Sequence, residues 1–208
     1  MKQSDFRPLP ILVTVLLAFV FWFVTFYLTW SIFWIKISFS AATLAILSFL
    51  LQPDRREPIK IDGRAIVLGL VSAAMLYFIF WMGKFVSEAV LPFSGGQISS
   101  IYHKGTGTPI WVIALLLFFV TGPGEELYWR GYLQKNLMVR FGPLQGWLLA
   151  TAIYAAVHIW SFNFMLIGAA AVAGAFWGAM YWRFKSLSAV IISHSVWSMV
   201  IFAVFPMR

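Results

Sequence analysis

Residues 9–30 read LPILVTVLLAFVFWFVTFYLTW, twenty-two positions without a charged side chain. An apolar run of about 20 residues makes a helix long enough to cross the hydrocarbon of a bilayer. Further apolar blocks follow at Ile37–Leu51, Ala65–Met82, Pro109–Val120, Leu144–Trp160, Phe164–Trp182 and Leu187–Phe205. Hydrophobic residues make up 62% of the 208 positions and charged residues 11%, which leaves no polar shell for a soluble domain. The predicted fold is all-α: a polytopic membrane helical bundle of about seven transmembrane helices (six to eight), built as a single membrane domain over residues 1–208.

The punctuation between the blocks supports that division. Pro53-Asp54-Arg55-Arg56-Glu57-Pro58 reads as a loop, because prolines and clustered charges do not sit in hydrocarbon. Within the mixed stretch Gly83–Thr108, Ser94-Gly95-Gly96 and Lys104-Gly105-Thr106-Gly107 read as loops, and His103 lies among them. Gly124–Arg140 reads as a charged amphipathic helix near the interface, broken by Gly142-Pro143. No repeat or second domain is visible, and the N-terminus runs into a full span without a small-residue cleavage site. Absence of cysteine removes disulfides and Cys-based metal sites.

The net charge of +8 reads as membrane topology rather than nucleic-acid binding. With the N-terminus cytoplasmic, eleven Lys and Arg fall inside, Arg130 among them, and four outside (Lys36, Lys84, Lys104 and Arg208). An odd number of spans then puts the C-terminus outside.

Ionisable residues within apolar spans are costly and mark function by default. Two of the seven acidic residues are adjacent, Glu125 and Glu126, directly after the apolar run Ile110–Gly122. On a helix Glu126 pairs with Arg130 four residues on, while Glu125 points about 100° away and is left to face something else. Two adjacent glutamates alone would be a solvated helix start; the arginine and two histidines weigh against that. His158 follows Tyr154 by one turn, and His194 precedes Ser198 by one turn, so each pair shares a helix face. A carboxylate and two imidazoles could hold a water, polarise a carbonyl or bind a metal. The eleven tryptophans mostly read as interface anchors, and Gly168, Gly174 and Gly178 as close helix packing.

Gly124-Glu125-Glu126-Leu127-Tyr128-Trp129-Arg130-Gly131 resembles the first motif, EExxxR followed by Gly, of the CAAX-protease and bacteriocin-processing family. Tyr154-Ala155-Ala156-Val157-His158 is similar to the family's FxxxH, with Tyr for Phe. His194-Ser195-Val196-Trp197-Ser198 keeps the histidine of the third motif but carries Ser where Asn or Asp is expected. The family-like core covers about residues 109–205. The resemblance implies an intramembrane glutamic endopeptidase in a prokaryotic plasma membrane, acting on a CAAX-type, leader or bacteriocin-type peptide or protein substrate amid membrane lipid. Glu125 would activate a water with His158 as its partner, Glu126 and Arg130 would support the site, and His194 with Ser198 would stabilise the oxyanion. Tyr154 would border the substrate.

The resemblance implies no cofactor; zinc on Glu125, His158 and His194 is the minority alternative. Two non-proteolytic readings stand beside it: a catalytically weak relative serving as membrane scaffold, immunity or processing factor, and a proton- or ion-coupled carrier. The carrier ranks last, because the inverted repeats of carriers are absent. Nothing in the sequence specifies an oligomeric state. One conflict is left for the tertiary structure. Counted from the inner side at 1.5 Å per residue, His158 lies about 20 Å along its span and His194 less than half as deep. A span must tilt, start later, or turn back near Trp160–Asn163.

Overall fold

The computed structural model describes residues 7–52 and 58–207; most of the charged loop read at Pro53–Pro58 lies outside them. Eight helices follow one another: α1 (Pro8–Phe26), α2 (Phe33–Leu51), α3 (Gly63–Val90), α4 (Ser94–His103), α5 (Ile110–Phe141), α6 (Pro143–Val157), α7 (Phe164–Phe184) and α8 (Leu187–Val204). Six of these, all but α4 and α6, are long and apolar enough to cross a membrane. The chain is an integral membrane protein with a helical-bundle fold.

Two sequence expectations need correction. The apolar run Pro109–Val120 and the charged stretch Gly124–Arg140 are not a span followed by an interfacial helix; they are one 32-residue helix, α5. Twelve residues are too short to span, and the charged half completes the crossing with Glu126 and Arg130 paired inside the bundle. The stretch Ser94-Gly95-Gly96 opens α4 instead of forming a loop, and α3 runs to Val90. Side-chain bonds tie α4 down: Asn163 Nδ2 donates to the Gln97 carbonyl at 2.8 Å and to Ser100 Oγ at 3.0 Å.

Local chemistry sets the helix ends. Asp62, Asn163 and Ser186 cap α3, α7 and α8 by accepting from the backbone N–H three residues on. Pro8 and Pro143 occupy first-turn positions, where a missing N–H costs nothing. Gly142, at φ 88°, makes the reversal between α5 and α6 that a side chain would strain. In α5, Pro123 cannot donate back along the helix, and the turn ahead of it widens: the Gly122 N–H reaches the Leu117 carbonyl, five residues back. A second wide turn covers Trp129–Gln134.

The bundle is apolar outside as well as inside, as lipid permits. Leu9, Leu12, Leu16 and Val20 cover the outer face of α1, while Thr14, Ala18, Trp22 and Thr25 turn inward. Buried hydroxyls return their protons to their own helix, as Ser72 does to Leu68 O at 2.6 Å and Ser48 to Ala45 O at 2.6 Å. Tyr27 meets Phe162, so the chain turns after α1 and α6 lie together, and Tyr77, midway along α3, donates to the Phe205 carbonyl just past α8.

Candidate active site

Helix α5 carries Glu125, Glu126 and Arg130, and all three are buried. The expected i, i+4 pair forms: Arg130 Nη1 donates to Glu126 Oε1 at 2.8 Å. His194 Nδ1 meets the same oxygen at 2.6 Å, so the histidine of α8 is held by Glu126 rather than by Glu125. Arg130 Nη2 donates to the Gly174 carbonyl at 3.2 Å, and its guanidinium lies 4.9 Å from the Tyr154 ring centre and 5.6 Å from that of Trp177. Trp177 stacks on the His194 imidazole at 3.9 Å and 17°, and donates to Ser193 Oγ at 3.1 Å. Arg130 therefore belongs to the site and leaves the count of cytoplasmic cations. Glu126 is 0% exposed, and only this dense pairing makes such a charge tolerable.

Glu125 stands apart, as its helical phase requires. Its Oε2 accepts from the Tyr154 hydroxyl at 2.9 Å. The side chain lines a cavity of about 410 Å³, whereas the buried carboxylate oxygen left without a hydrogen bond among the described residues is Oε2 of Glu126. Tyr154, His158, His194 and Ser198 line the same cavity, so five of the residues singled out in the sequence border one space. Glu126 and Arg130 lie behind it.

The depth conflict resolves through stagger. Leu187, the first residue of α8, packs against Gly131, not against the end of α5: a Cβ on Gly131 would come 3.0 Å from Leu187 Cδ2. Ten residues separate Gly131 from Phe141, so α8 begins about 15 Å further into the bundle than α5 ends. That offset lifts His194 to the level of Glu126. Helices α5 and α8 also touch closely, since a Cβ on Gly122 would stand 2.7 Å from Ser195 Oγ. At the far end of α6 the helix tightens into a single turn, His158–Ser161, and reverses at Phe162, φ 49°.

His158 makes contacts that sequence reasoning did not foresee. Its Nδ1 lies 2.7 Å from the Tyr154 carbonyl, and Trp22 Nε1 donates to its Nε2 at 3.2 Å. An accepting Nε2 places the proton on Nδ1, so the ring is neutral in this arrangement. Trp22 and Trp177 were read as interface anchors, yet both are buried against the site histidines. A signal was present in the sequence: each stands near the middle or inner part of its span, away from the ends where anchoring tryptophans belong. Gly174 and Gly178 are close packing positions as expected, whereas Gly168 has nothing within 4 Å of its would-be Cβ. Among the described residues no group of three or more His, Cys, Asp or Glu is placed to hold a metal ion.

Residues 107–200 match the family model described as type II CAAX prenyl endopeptidase Rce1-like. That segment, 94 of the 208 residues, is similar to the CAAX-protease and bacteriocin-processing family. No curated protein and no solved structure matches the chain. The matched segment starts just ahead of α5 and ends within α8, so it contains every residue of the Glu125–Ser198 constellation. Trp22 and Lys104, which also border the site or its cavity, lie outside it. At the level of the family, that match supports a membrane protease of the CAAX type.

Proposed function

We propose that this protein hydrolyses peptide bonds of a membrane-associated substrate with Glu125 as the base that activates a water. The observation that carries the reading is a carboxylate, 6% exposed, that accepts from one Tyr154 hydroxyl and lines an apolar cavity. Glu125 Oε1 takes a proton from the water as the water oxygen attacks the scissile carbonyl. The proton then passes to the departing amine as the C–N bond breaks.

The oxyanion takes its hydrogen bonds from the side of α8. His194 is anchored through Nδ1 on Glu126, so Nε2 is the nitrogen left for the cavity. With both nitrogens protonated, Nε2–H donates to the oxyanion while Nδ1–H donates to Glu126, which also pairs with Arg130. Ser198, one turn on, offers a hydroxyl; one such donor is worth about 10²–10³ in rate. His158 holds the Tyr154 carbonyl and thereby the turn that presents the Tyr154 hydroxyl to Glu125. Direct contact of His158 with the water requires its 3.2 Å bond from Trp22 to open.

Metal takes no part in this scheme. It is supported by the engagement of both His158 nitrogens and of His194 Nδ1 by protein groups. We further propose a prokaryotic plasma-membrane location with the N-terminus cytoplasmic. A scaffold or immunity role is the second reading, favoured by Ser198 where the family carries an amide.

The test uses membranes containing the full chain and a trapped substrate. Glu125→Gln abolishes cleavage of captured proteins while the chain stays folded, and Ser198→Asn raises turnover. Unchanged cleavage in Glu125→Gln sinks the proteolytic mechanism. Loss of activity with a chelator and its return with zinc would remove the metal-free scheme.

A further inference from the structure

A second cavity, of about 370 Å³, lies beside the one that Glu125 lines. The two share a wall of three rings, Trp34 of α2, Tyr102 of α4 and Phe202 of α8. Trp34 and Phe202 meet edge-on with centres 5.6 Å apart, and the Tyr102 ring lies 5.6 Å from that of Phe202. Ser99, His103 and Thr106 also line the second space, and all three are exposed polar residues of α4 and the turn that follows it. Two helix faces lead from there to the reacting groups. Ile113 of α5 lines the second cavity, and Leu117, Thr121 and Glu125, each four residues on, line the first. On α8, Phe202 lines both, and Ser198 and His194 follow toward the site at the same spacing. The α5 face is about 18 Å long from Ile113 to Glu125, and Thr121 Oγ1 and Ser38 Oγ, 3.2 Å apart, make it polar beyond Leu117. Phe202 stands on the wide last turn of α8, where the Phe205 N–H reaches back to the Val200 carbonyl.

We propose that the second cavity is a water vestibule, which supplies the nucleophile to Glu125 past Phe202 and along the Leu117–Thr121 face of α5. This rests on the peptidase reading above and adds the route of its second reactant. Each bond hydrolysed consumes one water, and a peptide that fills an apolar cavity expels the water held there. The next water therefore has to arrive through a space that the peptide does not occupy. The second cavity is such a space, because the three-ring wall keeps a peptide chain out of it while leaving gaps on the scale of one water when a ring moves. Trp34 supports the reading: it borders both spaces, and its Nε1 is a buried donor without an acceptor among the described residues. Water is the usual partner of such a group.

The experiment uses the full-length chain in lipid nanodiscs and fills the vestibule from its exposed mouth with Thr106→Trp. The control is Gly96→Trp, on α4, where nothing lies within 4 Å of a Cβ and neither cavity is lined. Turnover of a captured substrate falls at least tenfold in Thr106→Trp with KM within twofold, and Gly96→Trp keeps native turnover. Brief X-ray radiolysis in isotope-labelled water follows the same water without any cleavage. Label enters Trp34 and Phe202 of the native chain, and at least fivefold less enters them in Thr106→Trp. Thermal unfolding of each variant separates misfolding from a blocked route, and Ser99→Trp fills the same space from α4 should Thr106→Trp unfold. Native turnover in a folded, filled variant, or labelling unchanged by filling, overturns the proposal. Labelling that falls as expected in a chain whose native form cleaves nothing fails the peptidase reading alone; cleavage that persists after the labelling is lost fails this one alone.

Discussion

Glu125 and Glu126 are neighbours in sequence with opposite surroundings. Glu126 pairs with a guanidinium and an imidazole that themselves rest on aromatic rings, while Glu125 has one phenol and a cavity. Their replacements should therefore differ in kind. Glu126→Ala leaves Arg130 as an unpaired buried charge, and the fold should lose about 3–5 kcal/mol, read as a drop in the unfolding midpoint of detergent-solubilised protein. Glu125→Gln keeps a hydrogen-bonding group against Tyr154 and should leave that midpoint nearly unchanged while cleavage is lost. If both variants unfold alike, the division of labour between the two glutamates is wrong. Trp22→Phe keeps the ring but removes the donor to His158 Nε2. A lost hydrogen bond of about 1 kcal/mol should lower turnover several-fold; a rise would mean that a freed Nε2 works on the water directly.

At the scale of elements, α5 decides the site. Its proline-induced wide turn ahead of Gly122 and the second one after Tyr128 bracket the single regular segment that bears both glutamates. The contact of α6 with α7 then aims Tyr154 at Glu125. A Cβ on Gly174 would come 2.9 Å from Tyr154 Cδ1, so Gly174→Ala should push the phenol off Glu125. Overpacking of this kind costs about 1–3 kcal/mol, and activity should fall by more than stability does. Full activity in a correctly folded Gly174→Ala protein would show that the Tyr154 bond is dispensable. The EExxxR, YxxxH and HxxxS spacings were legible because each places its members on one helix face. That Glu126, not Glu125, holds His194 was not legible, since spacing within one helix says nothing of its rotation against another.

The whole molecule carries an orientation that can be checked directly. Arg7, Lys60, Arg64, Arg140, Arg183 and Lys185 lie at or beyond helix ends on one side, and Lys84 and Lys104 mark the other. With no native cysteine, single substitutions report their side by maleimide labelling of intact cells. Gly107→Cys should label without permeabilisation and Lys185→Cys only after it; the reverse pattern would invert the topology.

Composition and block length alone determined that this chain lives in a membrane as a helical bundle, because hydrocarbon demands long apolar helices whatever they pack against. Motif spacing likewise singled out ionisable residues that the fold brings together, since a helix face is a local property. The tertiary structure decided the rest. It merged a short span and a charged stretch into α5, raised His194 by starting α8 about 15 Å late, and brought Trp22 and Lys104 to the cavity from outside the family-like segment. Those outcomes depend on stagger, rotation and contact between distant helices. Long-range packing sets them, and no periodicity within a single helix encodes it.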